Sequence, residues 1–150
     1  MAGERPARLP GAVLFACNLN AVRSPMAEAI MKNLYGTRVY VDSCGVRAGE
    51  LDGFAVAALA EIGIDASGHQ PKSFEELEDT SYDIIISLTP EAQHQAVELT
   101  RTMAAEVEYW PTMDPTEATG SREQKLDGYR ALRDGLVKRI KERFEAQVSA

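Results

Sequence analysis

A cysteine and an arginine stand six positions apart in residues 17–25, where the two side chains could act together on a tetrahedral oxyanion. A loop of this length can curl so that its backbone N–H groups point inward and, with a helix N-terminus, form an anion-binding nest. A thiol in such a field near a guanidinium has its pKa lowered, to about 3.5 to 7.5 in known cases. We therefore predict that Cys17 is largely thiolate at neutral pH and acts as a nucleophile.

Other residues of the same loop fit the task of holding an oxyanion. Arg23 offers a planar fork of N–H donors that matches two oxygens at once, which an ammonium cannot do. Ser24 stands where a helix N-cap belongs, and its hydroxyl is alternatively placed to hydrogen-bond the Cys17 sulfur. Asn20 is predicted to fix the loop through side-chain to backbone hydrogen bonds, because asparagine tolerates left-handed backbone angles. The predicted oxyanion-binding residues are Asn18, Leu19, Asn20, Ala21, Val22, Arg23 and Ser24.

The loop needs a strand before it and a helix after it, and the pattern of the chain predicts both. A short apolar run ends at Cys17, and apolar residues at helical spacing follow it. Strand and helix signals then alternate, which predicts an α/β fold: a single-domain open parallel sheet of about four strands with helices on both faces. Ligands of such sheets bind beyond the carboxyl ends of the strands, where Cys17 stands. The predicted strands are 13–17, 39–42, 82–88 and 106–110, and the predicted helices are 26–34, 54–62, one starting at Pro90 and one beyond Ser121.

Length and composition are those of one domain. The chain has 150 residues and 45% hydrophobic content, so a single core is expected. We divide it into a flexible leader, residues 1–11, and a domain, residues 12–150. The leader lacks the apolar run of a signal peptide, no stretch approaches the roughly 18 apolar residues of a membrane span, and two cysteines are too few for a disulfide framework. These features predict a cytoplasmic protein without a membrane partner.

The negative charge of the chain is concentrated in its middle third. Residues 51–100 carry 1 basic and 10 acidic side chains, in a chain of formal net charge −7. Nucleic acids and anionic membranes are bound by clustered Lys and Arg, so this distribution argues against both partners. An anionic substrate therefore needs a local trap such as the Cys17 loop.

Three motifs along the chain carry a family resemblance. The first is residues 13–28 with Cys17, Asn20 and Arg23-Ser24-Pro25, the second is Val41-Asp42-Ser43-Cys44-Gly45, and the third is Met113-Asp114-Pro115. In this order they resemble low-molecular-weight protein-tyrosine phosphatases and the related thiol-linked arsenate reductases, which have a phosphatase I-like fold.

The resemblance implies a mechanism and assigns three catalytic residues. Cys17 would attack phosphorus, Arg23 would hold the phosphate, and Asp114 would protonate the leaving oxygen and then activate water against the thiophosphate intermediate. No metal and no cofactor is implied. Asp114 must be protonated for the first step, so we expect its pKa to be raised.

The chain departs from the phosphatase pattern at positions that bear on the substrate. Leu19 stands where the phosphatases usually have glycine, and Thr116 stands where a tyrosine is usual. The aromatic side chains that line a phosphotyrosine cleft are missing, which predicts weaker stacking of an aryl group. Val22 replaces a second loop cysteine, so a disulfide that protects Cys17 would have to use Cys44; whether it does is open.

Other segments, among them residues 71–77 and 129–134, are similar to the arsenate reductases. A thioredoxin-coupled reductase passes oxidation to two further cysteines, but none follows Cys44, so a reductase would need an external small thiol. Our principal prediction is a phosphatase of phosphate monoesters, in particular protein phosphotyrosine, whose partner is a phosphorylated protein or a small phosphate ester. The alternatives are arsenate reduction with an external thiol and a phosphate-binding module without catalysis.

Overall fold

The structure is a computed structural model that describes residues 8–78 and 81–148. Within these residues four strands alternate with four helices, and single 3₁₀ turns lie at Phe74–Glu76 and Pro115–Glu117. The strands are β1 (Ala12–Cys17), β2 (Tyr40–Gly45), β3 (Ile84–Ser87) and β4 (Glu106–Tyr109), and the helices are α1 (Arg23–Tyr35), α2 (Gly53–Ala60), α3 (Pro90–Leu99) and α4 (Arg122–Val148).

The strands form one parallel sheet in the order β2-β1-β3-β4, so β1 is central. Every residue of β1 is buried, because helices cover both faces of the sheet. Val13, Phe15 and Cys17 pack in one cluster with residues of α1, α2 and α4, whereas Leu14 and Ala16 pack in a second cluster with α3. The predicted α/β fold with helices on both faces is confirmed, and Cys17 lies at the carboxyl end of the central strand.

Several element boundaries differ from the sequence prediction, among them the start of α1, which was expected at Met26 and lies at Arg23. The second strand was expected at 39–42 but continues to Gly45, because it stays paired with β1 as far as Cys17. Helix α2 ends at Ala60, earlier than predicted, and the chain then turns through Gly63, whose φ of 80° suits a residue without a Cβ.

The predicted leader, residues 1–11, lies partly outside the described residues, which begin at Arg8. Of its described part, Leu9 packs against the core, and the carbonyl of Gly11 accepts a hydrogen bond from the amide of Tyr40 at 2.9 Å. Among the helices described, none combines the length and apolar character needed to cross a bilayer.

Candidate active site

The loop between β1 and α1 is held open by the backbone of the segment that follows β2. Four amides of that segment donate to four carbonyl groups of residues 17–21, which turns these carbonyls outward. The bonds run from Val46 to Cys17, Arg47 to Asn18, Gly49 to Leu19 and Asp52 to Ala21, at 3.0, 2.9, 2.7 and 3.1 Å. We call this set of four bonds the backbone brace.

Turning the carbonyls outward leaves the amides of the loop for a ligand. In the described part of the chain, the amides of residues 18–22 donate no hydrogen bond to protein, and α1 begins directly after them at Arg23. The amides and the helix N-terminus together suit a tetrahedral oxyanion. The close approach needs Gly45, where a Cβ would lie 2.7 Å from the amide nitrogen of Asn20 and 2.9 Å from the carbonyl oxygen of Asn18.

The Cys17 sulfur lies 2.9 Å from the hydroxyl oxygen of Ser24. This hydroxyl also donates to the Cys44 carbonyl oxygen at 3.2 Å, so its one proton has two acceptors. When Cys17 is a thiolate, the hydroxyl can turn to the sulfur and stabilise its charge. Of the two roles left open for Ser24, the contact with Cys17 is therefore confirmed. The role of N-cap is wrong: Val22 is the N-cap, because α1 starts at Arg23, two residues before the start at Pro25 that a Ser24 cap requires.

Asn20 fixes the loop from behind. Its φ is 55°, the left-handed conformation expected for this residue, and its side chain is fully buried. The amide group donates to the hydroxyls of Ser24 and Ser43, both at 2.9 Å, and the amide oxygen accepts from the backbone N–H of Lys72 at 2.9 Å. The expected side-chain to backbone bond is thus one of several, and most of the partners are side chains.

A histidine that the sequence did not connect with the loop lies behind Asn20. The Nε2 of His69 is 3.0 Å from the Asn20 amide oxygen, and its Nδ1 is 3.7 Å from the carboxylate of Glu28. Burial lowers the pKa of His69 and outweighs the nearby charge of Glu28, which acts in the opposite direction. The neutral ring therefore donates from Nε2 to Asn20. Glu28 in turn accepts hydrogen bonds from the Ser43 hydroxyl and from the Lys32 ammonium. Because the Lys32 side chain is exposed, the hydrogen-bonded cluster extends from Asn20 to the protein surface.

One cavity of about 290 Å³ is lined by all three of the predicted catalytic residues, Cys17, Arg23 and Asp114. Asn18, Leu19, Ala21 and Val22 also line it, whereas Asn20 and Ser24 contact the loop from its buried side. Its remaining lining residues are Arg47, Glu50, Asp52 and Thr116. None of the described lining residues is aromatic, so the cavity has a polar rim rather than a stacking wall.

The guanidinium of Arg23 donates to the carbonyl oxygen of Thr112 at 3.0 Å. Thr112 belongs to the segment that carries Asp114, and its amide donates to the Leu88 carbonyl at 3.1 Å. Arg23 is thus tied to the segment that holds Asp114.

Asp114 differs from expectation in its protonation. Its burial opposes ionisation, but hydrogen bonds from the Thr116 hydroxyl and amide, together with the charge of Arg23, outweigh that effect, so the pKa of Asp114 is lowered rather than raised. Both hydrogen bonds from Thr116 end on Oδ1, at 2.6 and 2.9 Å, which leaves Oδ2 for a ligand. Asp114 is therefore a carboxylate at neutral pH.

Cys44 lies on the other face of the sheet from Cys17. It pairs with Ala16 across the β1–β2 ladder and packs in the α3-side cluster with Leu14. Burial raises the pKa of its thiol well above the usual value, and the nearby Cys17 acts in the same direction. The geometry does not favour the disulfide left open above. In the part of the chain that the structure describes, no group of three His, Cys, Asp or Glu side chains could hold a metal ion.

Sequence reasoning found the residues of the loop but missed those that support it. His69 lies 49 positions from Asn20 and stands in no motif. Glu28 and Ser43 stand in the first and second motifs, and Lys72 and Tyr129 stand in the segments 71–77 and 129–134, but nothing in those motifs assigned these residues to support of the loop. Asp52 was also missed: it accepts a hydrogen bond from the Tyr129 hydroxyl at 2.8 Å, beside the cavity.

Comparison with known proteins gives consistent matches over nearly the whole chain. Residues 12–148 match the family described as "Low molecular weight phosphotyrosine protein phosphatase". A "Glutaredoxin arsenate reductase" from Synechocystis sp. is 33% identical over 144 residues, which cover 91% of this chain and 98% of that protein.

Solved structures with similar folds include both kinds of enzyme. "An arsenate reductase in the phosphate binding state" has a TM-score of 0.68 and 30% identity, with 87% of this chain and 94% of that chain covered. A structure of "YwlE arginine phosphatase" has a TM-score of 0.69 and 28% identity, with 85% and 89% covered.

Proposed function

The chain belongs to the low molecular weight phosphotyrosine protein phosphatase family, and from this premise we propose that it reduces arsenate at Cys17, with an external low-molecular-weight thiol as reductant. The observation that carries the proposal is the small cavity around Cys17, which pairs an anion nest with a polar rim. Such a cavity suits an inorganic oxyanion better than an aryl ester. The similarity to proteins named arsenate reductases supports the same reaction over the phosphotyrosine hydrolysis that we predicted first.

The proposed reaction starts as a displacement at arsenic. The Cys17 thiolate attacks arsenic, a hydroxide leaves as water after protonation, and an S–As bond forms. The loop amides and Arg23 hold the remaining oxygens and stabilise their charge. An external thiolate then attacks the Cys17 sulfur; the S–As electron pair stays on arsenic, which leaves as arsenite, and Cys17 becomes a mixed disulfide. A second thiol releases the Cys17 thiolate and forms the small disulfide.

The external thiol is needed because the chain has no suitable second cysteine of its own. Its two cysteines are Cys17 and Cys44, and Cys44 is buried on the opposite face of the sheet with a raised pKa. A thiol that stays protonated and lies behind the sheet is a poor nucleophile for Cys17. The name of the Synechocystis relative joins glutaredoxin to arsenate reduction, which supports reduction by a separate thiol. A thiol supply of this kind places the reaction in a reducing compartment such as the cytoplasm.

Hydrolysis of a phosphate monoester is the second candidate, and Asp114 favours it. Asp114 lines the same cavity as Cys17 and Arg23, with Oδ2 available for a leaving group. A bound dianion would raise the pKa of Asp114 by repulsion, so that Asp114 could carry the proton that the leaving group needs. The family name and the similarity to a structure titled as an arginine phosphatase support hydrolysis. A protein phosphate or a small phosphate ester would then be the substrate.

The two candidates are separated by product analysis on the same protein. The chain is incubated with arsenate and either 2-mercaptoethanol or thioredoxin with its reductase, and arsenite is measured; a parallel sample receives p-nitrophenyl phosphate without metal. We expect arsenite with the small thiol, none with thioredoxin alone, and competitive inhibition by phosphate. Ester hydrolysis without arsenite would support the second candidate, and binding of phosphate without either product would indicate a binding module.

A further inference from the structure

A second cavity adjoins the first at the Cys17 loop. It has a volume of about 390 Å³ and shares two lining residues, Asn18 and Arg23, with the cavity around Cys17. Its other walls come from the start of α3 and from the segment after β4, and they include Thr89, Glu91, Tyr109 and Met113. The two cavities therefore meet at Asn18 and Arg23.

Asn18 lines both cavities and forms a partition between them, and a hydrogen bond from Thr89 holds its side chain. The Thr89 hydroxyl donates to the Asn18 amide oxygen at 2.7 Å, and the same hydroxyl oxygen accepts from the amide of Ala92 at 3.1 Å. Thr89 is the N-cap of α3, so its position is fixed by the helix. Among the hydrogen bonds of the described residues, this bond holds the Asn18 side chain, so breaking it would free the side chain to swing aside.

The proposed reduction brings two reactants to Cys17, and one cavity does not serve both. Once the S–As bond has formed, the arsenic and its oxygens occupy the cavity around Cys17. Displacement at sulfur proceeds from the side opposite the leaving atom, so the thiol has to approach from elsewhere. We propose that the second cavity, which we call the thiol cavity, binds the external thiol and that its sulfur reaches Cys17 past Asn18. This inference rests on the external thiol of the proposed function.

The lining of the thiol cavity indicates which thiols it accepts. Glu91 supplies a carboxylate at its mouth, while Tyr109 and Met113 are 39% and 77% exposed and offer a ring face and a soft thioether. These groups fit a small thiol that carries an ammonium, as cysteine and cysteamine do. The attacking thiolate forms an S–S bond with Cys17, the bond from Cys17 to its bound group breaks, and the electron pair leaves with that group.

The test uses a mixed disulfide of Cys17 and no arsenate. The chain is treated with 5,5′-dithiobis(2-nitrobenzoate), which leaves a thionitrobenzoate group on Cys17; Cys44 is fully buried and does not compete. Release of thionitrobenzoate is followed by absorbance after addition of cysteamine, 2-mercaptoethanol or mercaptoacetate, which are cationic, neutral and anionic. Each thiol is compared between protein variants, so its own reactivity cancels.

The variants are Glu91→Lys and the matched control Glu98→Lys, the same charge reversal seven residues later on the exposed face of α3 and outside the cavity. We expect Glu91→Lys to lower the rate of thionitrobenzoate release by cysteamine and to raise the rate of release by mercaptoacetate, each by about two- to fivefold, as for a partly exposed charge pair. The rate with 2-mercaptoethanol should not change. Glu98→Lys should change none of the three. Equal effects of the two variants would overturn the proposal.

A second pair of variants tests the partition. Thr89→Val removes the donor to Asn18 and should accelerate all three thiols, whereas Thr89→Ser keeps the hydroxyl and should not. A Thr89→Val protein that reacts no faster than Thr89→Ser would contradict the passage of the thiol past Asn18. A failure of the thiol cavity can be distinguished from a failure of the proposed function. Arsenite formation with no charge effect at Glu91 would keep the proposed function and overturn the thiol cavity. A charge effect at Glu91 without arsenite formation would keep the thiol cavity and overturn arsenate reduction.

Discussion

The Cys17 loop and the segment that carries Asp114 face the same cavity but are held in different ways. The loop has four backbone bonds from the brace and a buried cluster behind Asn20, and Cys17 itself is only 2% exposed. Asp114 is partly exposed and Met113 beside it is 77% exposed, although Pro115 is buried. Thr112 links this segment to the loop side through its bonds with Leu88 and Arg23. The loop around Cys17 is therefore preorganised, whereas Asp114 is left to respond to a ligand.

Cys17→Ser should cause the largest loss of turnover. A smaller loss than that of Asp114→Asn would contradict the view that the Cys17 loop is the essential part of the site. Without the thiolate, both the S–As and the S–P intermediates are lost, so we expect turnover to fall by about 10⁴-fold or more. Arsenite formation and aryl phosphate hydrolysis are both measured. The control is Cys44→Ala, which should keep turnover near that of the unmodified chain because Cys44 lies behind the sheet. Equal losses in the two variants would mean that the nucleophile has been misassigned.

Asp114→Asn should have the next largest effect, but only where a leaving oxygen needs a proton. For hydrolysis of a phenyl or alkyl phosphate we expect a loss of about 10² to 10⁴ in rate, and a smaller loss for a nitrophenyl ester, whose anion is already stable. Rates are measured with both esters. Arg23→Lys is the control, since it weakens contacts to the transferred group and should affect both esters alike. A uniform loss in Asp114→Asn would make Asp114 structural.

Substitutions of Asn20 test how far the buried contacts of the Cys17 loop contribute to the stability of the protein. Asn20→Ala and Asn20→Gly both strip partners from buried polar groups, so each should lower the free energy of unfolding by about 2 to 4 kcal/mol. Alanine is strained at a φ of 55° and glycine is not, so the alanine variant should be less stable by about a further 1 kcal/mol. Urea denaturation measures both values. Equal stabilities would show that the loop does not depend on the left-handed conformation.

The smallest expected effect is a pH dependence from His69. The pKa of the folded-state His69 is lowered from 6.5, chiefly by burial, so below that pH the unfolded chain binds a proton that the folded chain resists. Stability from this group is therefore present above about pH 6.5 and is lost as the pH falls below it. The unfolding free energy of His69→Gln should lack this dependence, while that of the exposed His94→Gln should keep it. A slope that survives in His69→Gln would assign it to other groups.

The sequence predicted those parts of the molecule whose signals are local. The apolar run that ends at Cys17, the loop and the amphipathic helices were read correctly because strand, loop and helix preferences act over a few residues. The end of β2 at Gly45 was missed because it is set by pairing with β1, not by the composition of β2. The N-cap role of Ser24 failed for a related reason, since its hydroxyl is engaged by Cys17 seven residues away.

The supporting residues and the state of Asp114 depend on tertiary contacts. His69 reaches Asn20 across 49 positions of sequence, and no motif marks that pair. The raised pKa expected for Asp114 came from its proposed role, whereas its actual environment contains the two donors of Thr116 and the charge of Arg23. The role implied by the resemblance requires a bound dianion, whose charge would raise this pKa, whereas the contacts within the protein lower it.

The backbone brace determines which positions of the segment after β2 tolerate substitution. All four of its donors, Val46, Arg47, Gly49 and Asp52, act through main-chain N–H groups, so the brace does not depend on the Arg47 side chain, and Arg47 and Glu50 line the cavity. Close contacts restrict Gly45 and Gly49: a Cβ at Gly45 would lie 2.6 Å from the Arg47 carbonyl oxygen, and a Cβ at Gly49 would lie 3.0 Å from the Leu19 Cβ. The segment is therefore a natural place to redesign selectivity: a library at positions 47, 48 and 50 should yield variants with new substrate preferences at little cost in stability.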